Sequence, residues 1–121
     1  TVVEKLKSSY QIYKSEVDKT VKDNERLPFC GGITCIHTPG HTYGHISYYC
    51  EKLSLLIAGD ILQVQNGVLC PCPNFTVFDK AILAASLKKL SQYKIDKVLC
   101  YHGGLYEHNV SERIAQIAIQ L

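Results

Sequence analysis

Three residues far apart in the chain carry side chains suited to holding a metal ion: His41, Asp60 and His102. Each stands where a strand-like run meets a turn. His41 lies in Thr38-Pro39-Gly40-His41-Thr42, where proline and glycine force a tight turn. Asp60 follows Gly59 and the apolar run Leu53-Ser54-Leu55-Leu56-Ile57-Ala58, which reads as a strand buried on both faces. A carboxylate at the mouth of such a strand needs a partner, because an ionised group beside a dry interior is costly. His102 ends the short apolar run Asp96–Tyr101 and precedes Gly103-Gly104. Strand ends are where open α/β sheets gather functional groups. Neutral imidazole with carboxylate suits zinc or iron. The plainer alternative is that His41 and His102 are turn histidines bonded to backbone.

Further candidates stand nearby. His37 reads as a solvent-facing strand residue and His108 as a surface loop residue. Cys70-x-Cys72 pairs two soft donors between prolines, with no visible partners. Tyr43, Tyr101 and Tyr106 flank the three site residues and read either as pocket lining or as packing.

The elements that must position these groups follow from periodicity. Val3, Leu6, Tyr10, Tyr13, Val17 and Val21 form one helical stripe, predicting an amphipathic helix over residues 2–22, within a 1–25 segment, that packs on the body of the domain. A polar break ends at Pro28. Strands are expected at 33–36, 46–50 and 53–58, then an irregular stretch from 61 to 76 with a turn at Asn66-Gly67. Thr76 and Asp79 resemble a capping box for a helix from Val77 to about Tyr93, with Leu83, Leu87 and Leu90 on one face. A strand over 96–101 follows. Asn109 then caps a last helix over 109–121, with Ile114, Ile117, Ala118 and Leu121 on its apolar side. The fold class is α/β: a small sheet with helices against one face.

Composition narrows the function. With 121 residues the chain is one domain or part of one, and its 46% apolar and 20% charged residues are those of a globular protein. A net charge of +2 with scattered lysines gives no case for nucleic acid. No apolar run approaches the ~20 residues of a membrane helix. The charged start does not resemble a signal peptide. Residue 1 is threonine rather than methionine, which points to a piece of a longer chain. Cys35, Cys50 and Cys100 fall in apolar strands, and no Cys-x-x-Cys occurs. Free thiols and a cytoplasmic setting are expected.

Taken in order, Thr38-Pro39-Gly40-His41-Thr42-x-Gly44-His45, Ala58-Gly59-Asp60 and His102-Gly103-Gly104 resemble the second half of a metallo-β-lactamase superfamily domain, over residues 29–108. The resemblance implies half of a four-layer αββα sandwich, with one small mixed sheet. It also implies a metal site at one edge, zinc or iron, dinuclear in the full-length protein. By the same resemblance His41 matches a histidine ligand of the first metal and Asp60 the bridging, catalytic carboxylate. His102 matches the last histidine of the second metal, and His45 a group that orients the ligands by hydrogen bonding. The activity implied is attack of metal-bound hydroxide on an ester, thioester or related bond of a small molecule, and the motif wording resembles the glyoxalase II-like thioesterases. The family's His-x-His-x-Asp-His run is absent. A partner is therefore expected, either the missing amino-terminal half or a second copy in a homodimer. The competing reading is a non-catalytic α/β oligomerisation or binding module, a remnant of the fold with little or no metal.

Overall fold

The structure, a computed structural model, describes residues 1–121. Its elements run α1 (Val2–Ile12), β1 (Arg26–Leu27), β2 (Ile33–His37), β3 (Ile46–Cys50), β4 (Leu55–Gln65), β5 (Val68–Pro71), α2 (Lys80–Leu90), β6 (Lys97–His102), β7 (Gly104–Tyr106) and α3 (Val110–Gln120). Seven strands form one mixed sheet in the order β1-β2-β3-β4-β6-β7, with β5 paired to β4. Only β4 and β6 run parallel, joined by the crossover through α2. The sheet and helices match the expected α/β half-sandwich.

Register explains the two faces. Thr34, Tyr49, Leu56, Val98 and Tyr106 lie opposite one another across β2, β3, β4, β6 and β7. Tyr49, Leu56 and Val98 of this row are buried in the core, where Leu83, Leu87 and Leu90 of α2 and Ile114 and Ile117 of α3 also lie. One residue along each strand, the row Cys35, Tyr48, Ile57, Leu99 and Leu105 points the other way. Here Leu99 is 38% exposed and Leu105 51%. The strand expected to be buried on both faces is thus covered on one only. Leu56 and Ala58 are fully buried, whereas Leu55 and Ile57 are half-buried.

Four local expectations change. The first helix stops at Ile12, and none of its residues is buried. Thr1 and Glu4 form a capping box at its start, but its apolar stripe meets no tertiary surface. Unsupported helices this short are marginal in water, and the β-branched and polar residues beyond Tyr13 do not extend it. The stretch from 61 to 76 is largely ordered pairing, since β4 continues to Gln65 and turns at Asn66-Gly67 into β5. Asp79, not Thr76, caps α2: its carboxylate accepts from the Ile82 N–H at 3.0 Å. Asn109 stands at the cap of α3 without a side-chain bond, contributing a left-handed backbone instead.

Candidate metal centre

The loop from Thr38 to His45 joins β2 to β3 and is seated on α2. Ser86 donates to the Pro39 carbonyl at 2.6 Å, and the Phe78 N–H donates to the Gly40 carbonyl at 3.0 Å. Gly40 has φ +144°, and a Cβ there would lie 2.7 Å from the Leu83 Cα. Only glycine allows that approach. Tyr43 stacks on Phe78 with ring centroids 4.0 Å apart. His37, partly exposed at the end of β2, ties the loop by donating from Nε2 to the Tyr43 carbonyl at 2.8 Å.

A second brace fixes the foot of the loop. The Lys89 ammonium donates to both Asp23 oxygens at 3.0 Å and to the His37 carbonyl at 2.9 Å. Asp23 also accepts from the His37 N–H at 2.7 Å. Burial alone would raise the Asp23 carboxyl, but the His37 N–H and the Lys89 charge outweigh it and hold the group below its ordinary range.

Asp60 reaches the same rim because β4 is irregular. The pairing of β4 with β6 shifts register on both sides of Gly59, whose φ is +66°. A bulge of this kind re-aims the next side chain. One Asp60 oxygen lies 3.3 Å from His102 Nε2 and the other 3.9 Å from His41 Nε2. Two donors on one tetrahedral zinc at ~2.0–2.2 Å stand roughly 3.3–3.6 Å apart, so these separations are of the right order. The donor types, two imidazoles and a carboxylate, also fit zinc or iron. Even so, no three His, Cys, Asp or Glu side chains gather tightly enough to enclose an ion. His41 Nδ1 is buried and has no hydrogen-bond partner. Metal-holding histidines ordinarily donate from their second nitrogen. In donor type these residues fit part of a metal site, and the unpartnered His41 Nδ1 is free to donate to an orienting acceptor.

The three groups open onto a cleft of about 290 Å³ that is also lined by Gln63, Cys72, Pro73, Phe75 and Thr76. The tyrosines do not line it. Tyr43 leans on Phe78, Tyr101 is 66% exposed, and Tyr106 packs edge-on to His108. Cys72 lines the cleft, but Cys70 does not; all six cysteines are free. Phe75, 91% exposed in a short 3-10 turn after Pro73, gives the rim an aromatic edge that sequence reasoning missed.

His45 is not among the residues that line the cleft. Its Nε2 accepts from the Asp60 N–H at 3.1 Å, and its Nδ1 lies 2.9 Å from Thr38 Oγ1. Burial, aided by the His41 ring, pushes its pKa below the ordinary value.

The sequence profile described as the metallo-beta-lactamase superfamily matches residues 4–102. The chain belongs to the metallo-β-lactamase superfamily. A hydroxyacylglutathione hydrolase from Bartonella henselae is 36% identical over 118 residues, covering 86% of this chain and 44% of its own. An archaeal superfamily protein from Sulfolobus tokodaii is 26% identical with a TM-score of 0.64, over 97% of this chain and 47% of that one. A protein solved in a di-iron-bound form shares the fold, with a TM-score of 0.63 at 24% identity over 83% and 48% of the two chains. The chain thus spans less than half the length of these relatives.

Proposed function

We propose that this chain is the carboxy-terminal part of a metallohydrolase that cleaves a thioester or related ester of a small molecule. The observation that carries the reading is the Asp60 carboxylate with one imidazole near each oxygen, at 3.3 and 3.9 Å. His41, Asp60 and His102 would hold zinc or iron together with ligands from an amino-terminal segment. A bound ion there supplies a Lewis acid that brings the pKa of water to ~7 and polarises the substrate oxygen. Asp60 would act as the acidic group between the two histidines. The thioester preference draws on the name of the Bartonella henselae relative.

The open sheet face has a role in the same reading. Tyr48, Ile57, Leu99 and Leu105 form an apolar row of which Leu99 and Leu105 are exposed and Tyr48 and Ile57 half-buried. We assign its occupant to the amino-terminal half, because this chain spans 44% of the relative's length. Light scattering distinguishes that from a second copy: a homodimer would double the mass of the isolated chain. Six free thiols support a reducing, cytoplasmic setting, and no helix is long and apolar enough to cross a membrane.

Zinc and iron(II) titrations of the chain co-expressed with an amino-terminal half, with Asp60→Asn and His102→Ala beside a His108→Ala control, test the reading. Binding that falls at least about tenfold in the first two and not in the control supports it. Equal binding in all four, or no binding to any, favours the non-catalytic module.

A further inference from the structure

One closed set of hydrogen bonds brackets Gly59 at the bend before Asp60. The Asp60 N–H donates to His45 Nε2 at 3.1 Å, so that nitrogen must present its lone pair. An imidazolium would set N–H against N–H there, which leaves the neutral ring with its single proton on Nδ1. That proton faces Thr38 Oγ1 at 2.9 Å, which accepts it. The Thr38 hydroxyl proton then goes to Ser47 Oγ at 2.9 Å, and Ser47 donates to the Ala58 carbonyl at 3.3 Å. Thr38 and Ser47 are both completely buried, so no water competes for these protons. The set starts at the N–H after Gly59 and ends at the carbonyl before it. A Cβ on Gly59 would lie 2.7 Å from His45 Nε2, so the ring rests directly on the bend.

We propose that Thr38 and Ser47 are positioning residues, acting through one tautomer of His45 to hold the Gly59 bend and so aim the Asp60 carboxylate into the cleft. Both ring nitrogens of His45 are thereby occupied, and it binds no metal. Two hydroxyls remote from the cleft decide where the acidic group points. Half-satisfied buried networks are unfavourable, so removing one hydroxyl disturbs the whole set. The effect on metal affinity rests on the reading proposed above; the placement of the protons does not.

The test uses the metal-free chain first. Nitrogen-15 spectra of the wild type are expected to show His45 protonated on Nδ1 and bare on Nε2. Hydrogen exchange at the Asp60 amide is expected to quicken about tenfold in Thr38→Val, as for loss of one net hydrogen bond. Amides of Ile114 and Ile117 in α3 serve as unaffected references. Thr38→Ser, which keeps the hydroxyl, is expected to restore slow exchange. Zinc affinity is expected to fall ~10- to 100-fold in Thr38→Val and to recover in Thr38→Ser. A proton found on Nε2 in the wild type would overturn the proposal. So would Thr38→Val with exchange and affinity both unchanged. Should Thr38→Val fail to fold, the wild-type tautomer and Thr38→Ser decide. A wild type that binds no zinc would sink the metal reading alone, because the tautomer and exchange results stand without it.

Discussion

Replacing Gly40 by alanine tests whether α2 seats the metal-facing loop. The added Cβ would lie 2.7 Å from both Cα and Cβ of Leu83, and the Cα belongs to a helix backbone that cannot swing aside. Overpacking of this kind costs ~1–3 kcal/mol. Gly40 also has φ +144°, where an L side chain adds strain of ~1–3 kcal/mol. Together the two give a loss of roughly 2–6 kcal/mol. At ~3–6 °C per kcal/mol for a domain of this size, even the low end lowers Tm by several degrees. Gly44, four residues on in the same loop, has nothing within 4 Å of an added Cβ and no positive φ. Gly44→Ala should therefore change stability by no more than ~0.5 kcal/mol. Urea unfolding followed by circular dichroism compares the two variants directly. Equal stability in the pair would refute the claim that close contact with Leu83 fixes the loop.

Other outcomes follow from the brace, the thiols and the open face. Because the Asp23 carboxyl is held below its ordinary 3.8, its contribution is complete above about pH 4 and is lost as pH falls through the lower folded-state value. Lys89→Met should cost ~1 kcal/mol, since both partners are more than a third exposed and water screens them, and should flatten that acid slope in pH-dependent unfolding. Cys30 is exposed, whereas Cys100 is buried and its thiol is pushed up to about 12; native-state labelling at pH 8 should modify Cys30 quickly and leave Cys100 unlabelled. Leu99→Lys with Leu105→Lys should leave the isolated chain within ~1 kcal/mol of wild type, because both sites are already exposed. The same pair should abolish co-purification with a co-expressed amino-terminal half.

The legible parts of the sequence were those governed by local rules. Leu83, Leu87 and Leu90 recur at helical spacing and all three are buried, and the same holds for Ile114 and Ile117. Proline and glycine in Thr38-Pro39-Gly40 marked the loop that carries His41. The first helix misled because its stripe has the right period but no surface to meet, and periodicity says nothing of what lies opposite. Asn66-Gly67 signals a turn, but the strand pairing on either side of it is hidden in the sequence, because the prolines in Cys70-Pro71-Cys72-Pro73 suggest irregular chain. Pro71 ends β5 at Leu62, while the Gln63 side chain donates to its carbonyl. Within the site, the meeting of His41, Asp60 and His102 was expected from three strand ends. The Lys89–Asp23 brace was not, since 66 residues separate the pair. The proximity of Ser47 to Thr38 depends on pairing between β2 and β3, which no single segment encodes. Phe75 gave the one missed signal: a lone exposed aromatic after a proline.

The central claim is that His41, Asp60 and His102 are donors to one metal centre. Anomalous diffraction from crystals of this chain paired with an amino-terminal half and grown in excess zinc tests it. A peak is expected beside the Asp60 carboxylate, within ~2.0–2.2 Å of Nε2 of His41 or His102, and it should vanish in Asp60→Asn. A zinc peak held instead by the cysteines or by His45, or none at any concentration, would contradict the claim.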